Sequence, residues 1–143
     1  MLTNSSKYAL KAVLFLALNS NEEKKVRVKE IAGLINVPQP YTAKLLQKLS
    51  KKNIISSTRG PKGGFYLDNK NIKQTILDIV YAIDGEKNLN SCLLSLKKCN
   101  ESKPCPLHKL ATPSRSEFLN ILKHKSISDL SMEVQNGSFH LPL

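Results

Sequence analysis

The apolar positions of this chain fall into five helical blocks, with one short strand-like stretch in the middle. Residues 5–19 place Tyr8, Ala9, Leu10, Ala12, Val13, Leu16 and Ala17 on a wide apolar face, the mark of an amphipathic helix. Ser5 or Ser6 is its expected N-cap, and Asn19-Ser20-Asn21 ends it. Val28, Ile31, Ala32 and Ile35 recur at i, i+3, i+4 and i+7, which predicts a second, short helix. Asn36-Val37-Pro38-Gln39-Pro40 breaks the pattern. It restarts with Tyr41, Leu45, Leu46 and Leu49 on one side and Ala43, Lys44, Gln47, Lys48 and Lys51 on the other. Two helices separated by a few residues, the second with a basic outer face, predict a helix-turn-helix.

The strand-like stretch follows directly. Residues 54–58 read as one strand and Phe65-Tyr66-Leu67 as its partner, around Arg59-Gly60-Pro61-Lys62-Gly63-Gly64. The glycines allow a tight tip. Arg59 and Lys62 there can reach phosphates or a narrow minor groove. A hairpin directly after a recognition helix is a wing. A phosphate-binding enzyme loop is the competing reading, but the P-loop spacing with its Gly-Lys-Ser/Thr ending is absent.

Ile76, Leu77, Ile79, Val80 and Ile83 then predict a helix stopped at Asp84-Gly85. Leu107, Leu110, Ala111, Phe118, Ile121 and Leu122 predict a last helix, interrupted near Pro113. Its apolar face exceeds the needs of one small wing domain, so it reads as a dimer contact. The expected class is mainly α with a small β-hairpin. The expected divisions are a winged helix-turn-helix DNA-binding domain (1–86), a cysteine-containing cluster-binding loop (87–106), a C-terminal dimerisation helix region (107–131) and a loose, pattern-free tail (132–143).

Charge sharpens this picture. The chain carries a formal net charge of +11. Residues 24–62 hold ten basic side chains against one acid, Glu30. Such one-sided charge suits a polyanion, and double-stranded DNA is the expected partner. No stretch approaches the eighteen or so apolar residues of a membrane span, and no secretory signal is evident. An odd count of three cysteines without such a signal points to a reducing cytoplasm. No constellation of acid–base residues marks an enzyme.

All three cysteines lie in Cys92-x₆-Cys99-x₅-Cys105-x₂-His108. Three thiolates and an imidazole form a soft-ligand set suited to an iron–sulfur cluster or zinc. Lys97, Lys98 and Lys103 nearby favour thiolate. His108 lies three residues after Cys105, so both can point inward from one turn. The paired-cysteine spacing usual for zinc is missing, which leaves an iron–sulfur cluster as the first expectation, [2Fe-2S] before [4Fe-4S], with metal-free thiols and zinc as alternatives. His124 and His140 stand apart and are read as surface residues.

The chain resembles the Rrf-type winged-helix transcription regulators, in their IscR/NsrR-like cluster-binding branch. The resemblance rests on Ser6-Lys7-Tyr8-Ala9-Leu10, Val28-Lys29-Glu30-Ile31-Ala32, the wing from Ser57 to Phe65, and the helix from Ile76 to Gly85. It implies a homodimer on a palindromic operator, with a recognition helix in the major groove and a wing in the minor groove. It places base-reading positions at Gln39, Pro40, Tyr41, Thr42, Ala43 and Lys44, with Lys48 beside them on the basic face, and the wing arginine at Arg59. It places cluster ligands at Cys92, Cys99, Cys105 and His108. Two residues depart from the family pattern. Lys7 stands where the nitric-oxide branch can use an acidic ligand, which favours His108 as fourth ligand. Ala43 replaces a glutamate of the cluster regulators, so their DNA site preference does not transfer. The expected function is a DNA-binding regulator, a repressor, sensing redox, iron–sulfur status or nitric oxide. A cluster-free thiol-redox or effector-gated regulator is the alternative.

Overall fold

The computed structural model describes residues 2–94 and 97–143. Helix α1 (Asn4–Asn19) is the central strut. Ala9, Ala12, Val13 and Leu16 are buried along it, and the two alanines let neighbouring helices approach closely. Its cap is Thr3, not Ser5 or Ser6: Thr3 Oγ1 accepts from the Ser6 N–H at 3.1 Å. Ser6 is drawn away from capping because its buried hydroxyl donates to Asp84 instead.

Helices α2 (Val28–Ile35) and α3 (Gln39–Lys51) form the helix-turn-helix. Asn36 turns the chain between them at φ +55°, a left-handed conformation that asparagine tolerates. Helix α3 starts two residues before the apolar pattern does. Pro40 fits its first turn, where a missing N–H costs nothing.

Strands β1 (Ser56–Thr58) and β2 (Gly64–Tyr66) pair antiparallel, with Ser57 opposite Phe65. The first strand begins at Ser56, not at residue 54. Ile54 and Ile55 are each 1% exposed; they anchor the exit from α3 in the core. Leu67, expected in the second strand, follows it as a buried residue. Val26 adds a bridge to Phe65, with N–H···O bonds of 2.9 and 2.8 Å. A Cβ at position 63 would lie 2.3 Å from the Thr58 carbonyl oxygen, so the hairpin requires glycine there.

Helices α4 (Ile76–Asp84) and α5 (Glu86–Leu89) meet at Gly85, whose φ is +80°. Helix α6 (His108–His124) runs through Pro113 without the expected interruption. An unexpected nine-residue helix, α7 (Ile127–Gln135), follows. The pattern-free tail therefore does not begin at 132, and the boundary at 131 falls inside a helix. Its signal was legible: Ser126 and Asp129 form a capping box, and Ile127, Leu130 and Val134 share a face. Ile127 is fully buried in the core against which Leu130 packs. Ile76 N–H donates to Lys125 O and Ile127 N–H to Gln74 O, both at 2.9 Å, so α4 and α7 start side by side. The result is a mainly helical winged helix-turn-helix with one small hairpin.

If α7 belongs to the core, Ile127→Ala destabilises the protein by about 2–5 kcal/mol in urea melts. The Ser126 N–H and hydroxyl hold the Asp129 carboxyl below its ordinary range. That stabilisation is present above the usual carboxylate pKa and lost as pH falls through the lower folded value. Asp129→Asn should flatten this part of the acid dependence of the melting temperature.

Candidate nucleic-acid interface and cysteine segment

Helix α3 offers its first turn and one long face to solvent. Gln39, Pro40, Tyr41, Lys44, Gln47 and Lys48 are exposed, and Ala43 is half-buried. No side chain caps the α3 N-terminus, so the positive end of its dipole and its first N–H groups face outward, an arrangement that favours phosphate. Thr42 is the exception among the expected readers. It is fully buried, and its hydroxyl donates to Pro38 O at 3.1 Å and toward Val37 O at 3.4 Å. The helical period explains this: Thr42 lies on the same side as Leu45, Leu46 and Leu49, all buried. In this fold it staples the turn and does not face outward.

The wing carries Arg59 and Lys62, both exposed. Lys25 is held against the wing by placing its ammonium 5.4 Å from the Tyr66 ring centre. Among the described residues the one ion pair joins Lys125 to Glu133 at 3.0 Å. The basic side chains of residues 24–62 thus remain unneutralised by any acid, and their field is available to a polyanion.

The cysteine segment leaves α5 and returns into α6. Its backbone is pinned by Cys92 N–H to Lys97 O at 2.9 Å and by a Ser91–Lys98 bridge. None of the three cysteines is in a disulfide, and all are half-buried. Cys92 and Cys105 bring their sulfurs to 3.4 Å. Two thiolates on one tetrahedral metal lie about 3.8 Å apart, given metal–sulfur bonds of about 2.3 Å, so this pair stands slightly closer than a shared metal would hold it. Cys99 faces the Arg115 guanidinium of α6 at 3.8 Å. His108 opens α6, and its N–H donates to Cys105 O at 3.0 Å. Among the described residues no three His, Cys, Asp or Glu side chains converge on one point. The donor chemistry fits a soft metal group; the fold brings two of the four expected ligands together. Outside this set, His124 is exposed and pairs Nδ1 with Asn120 O at 2.8 Å, and His140 is exposed.

The family model described as Rrf2, iron-dependent transcriptional regulator, matches residues 2–133. The chain belongs to the Rrf2 family. A putative HTH-type transcriptional regulator of Aquifex aeolicus is 35% identical over 130 residues, 90% of this chain and 89% of that one. The HTH-type transcriptional regulator NsrR of Bacillus licheniformis is 29% identical, covering 92% of each chain. The solved structure of CymR, the global cysteine regulator of B. subtilis, shares the fold at TM-score 0.73 and 22% identity, over 92% of this chain and 96% of that one. This Rrf2 protein is a DNA-binding transcription regulator and not an enzyme. Among its described residues no helix is long and apolar enough to cross a membrane.

Three functional placements in this Rrf2 regulator escape a reading of the sequence. Arg27 donates to the Pro61 carbonyl and so ties the start of α2 to the wing tip. Asn71 is buried and joins the wing to the end of α3. Tyr41 shares a hydrogen bond with Ser5 and meets the Tyr8 ring edge-on, centres 6.3 Å apart. Only Asn71 had a local signal, the Asp68-x-x-Asn71 turn in which Asp68 Oδ1 accepts from the Asn71 N–H at 2.8 Å. If Thr42 is a staple, Thr42→Val costs about 1 kcal/mol of stability and leaves the selected DNA-site profile unchanged; a shifted profile returns Thr42 to the readers.

Proposed function

We propose that this regulator is a cytoplasmic homodimeric repressor of a palindromic operator, and that an iron–sulfur cluster sets its affinity for DNA. In this reading Cys92, Cys99 and Cys105 supply thiolate ligands and His108 the fourth. The observation that carries it is the Cys92–Cys105 sulfur pair at 3.4 Å, in a family described as iron-dependent. A [2Fe-2S] group would supply one-electron chemistry, at a potential raised by imidazole ligation. Arg115, which lies 3.8 Å from the Cys99 sulfur, would border the cluster from α6.

The assembly is supported by α6. Leu110 is 74% and Ile121 52% exposed, an apolar outlay suited to a second copy of this chain. Gln39, Pro40, Tyr41, Ala43, Lys44 and Lys48 would address the major groove. Gln39 can offer a paired donor and acceptor to adenine, and Lys44 can donate to guanine. Arg59 and Lys62 would follow the minor groove. A cluster-free thiol regulator is the second reading, because the same 3.4 Å approach also suits a Cys92–Cys105 disulfide.

Anaerobic reconstitution with an absorption spectrum and iron and sulfide analysis separates the two. The expected result is bound iron and sulfide in wild type and none in the triple Cys→Ala variant. Thiols that bind neither, with a Cys92–Cys105 disulfide in peptide maps after air oxidation, select the second reading. On DNA, Arg59→Ala should weaken binding and reduce the slope of log K against log salt by about one. An unchanged slope removes Arg59 from the phosphate contacts.

A further inference from the structure

Asp84 breaks a local rule. It ends α4, where the helix dipole disfavours negative charge. Its carboxylate instead faces the opposite pole of another helix. Thr3 Oγ1 donates to Oδ1 at 2.5 Å, and the buried Ser6 hydroxyl donates to Oδ2 at 2.7 Å. Thr3 is the cap of α1, and α1 has no acid of its own in its first turn. Asp84 therefore supplies, from α4, the negative charge that the α1 N-terminus lacks.

The same turn of α1 holds the recognition helix. Ser5, between the two Asp84 partners, shares its hydrogen bond with the Tyr41 hydroxyl. Tyr8, one turn on, meets Tyr41 at an interplanar angle of 87°. On its other side Asp84 adjoins Gly85, the pivot into α5 and the cysteine segment. Asn88 of α5 donates to the Asp84 carbonyl at 2.6 Å. One continuous set of contacts thus runs from α5 through Asp84 and the first turn of α1 to the first turn of α3.

We propose that Asp84 is a positioning residue that transmits the state of the cysteine segment, through Thr3, Ser6 and Ser5, to Tyr41 and the reading turn of α3. This rests on the reading of the cysteine segment as the sensing element. A change in that segment moves α5 about Gly85 and shifts Asp84 against its two hydroxyls. The α1 turn then loosens or tightens its grip on Tyr41. The device needs no bound DNA, and its elements are all within this chain.

The test is hydrogen–deuterium exchange on the full chain, before and after its cysteines are alkylated with iodoacetamide. Peptides covering residues 3–9 and 39–46 are followed. In wild type, alkylation should change exchange in both, within the roughly 5–150-fold range of ordinary allosteric couplings. Asp84→Asn keeps the side-chain size but removes the charge and turns one acceptor oxygen into a donor, so one of the two hydroxyls can no longer donate to this side chain. Exchange in 39–46 should then no longer respond to alkylation. Tyr41→Phe keeps the ring against Tyr8 and removes only the bond to Ser5. There 3–9 should still respond while 39–46 does not, and this variant alone carries the test if Asp84→Asn does not fold. A wild type in which 39–46 ignores alkylation, or variants that respond as wild type does, overturns the proposal. Alkylation reads the thiols themselves, so a protein without iron would sink the cluster reading and leave this result standing.

Discussion

A wing and a recognition helix can grip one duplex only if they keep a fixed distance, and a buried amide sets that distance. Asn71 is 4% exposed. Its Nδ2 donates to Asn53 O at 3.0 Å, at the end of α3. Its Oδ1 accepts from Ser56 Oγ on β1 and from the Asp68 N–H after β2, each at 2.9 Å. The amide offers a donor on one atom and an acceptor on the other; an aspartate carboxylate in its place would face the Asn53 carbonyl with no proton to give. A buried polar group left unmatched is costly, so the chain cannot slide the wing against the helix without breaking this node. Arg27 on Pro61 and Val26 on Phe65 complete the bracing from the opposite side.

Charge is distributed by the same economy. The residues that would face a polyanion lack acidic partners, while Asp78, Asp84 and Asp129 are held by donors at helix ends. Asp78 and Asp129 each cap the helix they sit on. Asp84 braces the cap of a helix it does not belong to, by accepting from the Thr3 and Ser6 hydroxyls. The surface is left strongly positive on one side without a matching internal cost, since all these carboxylates find N–H or O–H donors.

The helices and the wing were legible because each repeats a period or carries a turn signal: Ile31, Ala32 and Ile35 for α2, glycines 63 and 64 for the hairpin. The edges were less so. Ile54 and Ile55 looked like strand because β-branched residues suit either a strand or a buried turn. Helix α7 is short and its apolar positions few, so Ser126 and Asp129 are the main sign of its start. Exposed lysines and the wing arginine could be named from position alone. Thr42 was legible as well: it stands at i, i+3, i+4 and i+7 with Leu45, Leu46 and Leu49, so the period that turns those leucines inward turns Thr42 with them. Long-range contacts such as Ser5 with Tyr41 leave no trace in spacing, because nothing local requires them.

The paired starts of α4 and α7 have a consequence for how such a protein can change over generations. The backbone bonds between Ile76 and Lys125 and between Ile127 and Gln74 close a chain excursion on itself. What lies between the end of α4 and the start of α6 hangs from this closed junction. Lengthening a flexible loop costs only about 0.6 kcal/mol per doubling. That stretch is thus a place where residues can be gained, lost or exchanged while Ile127 still fills the core, and one DNA-binding frame can acquire a different sensor by rewriting some twenty positions.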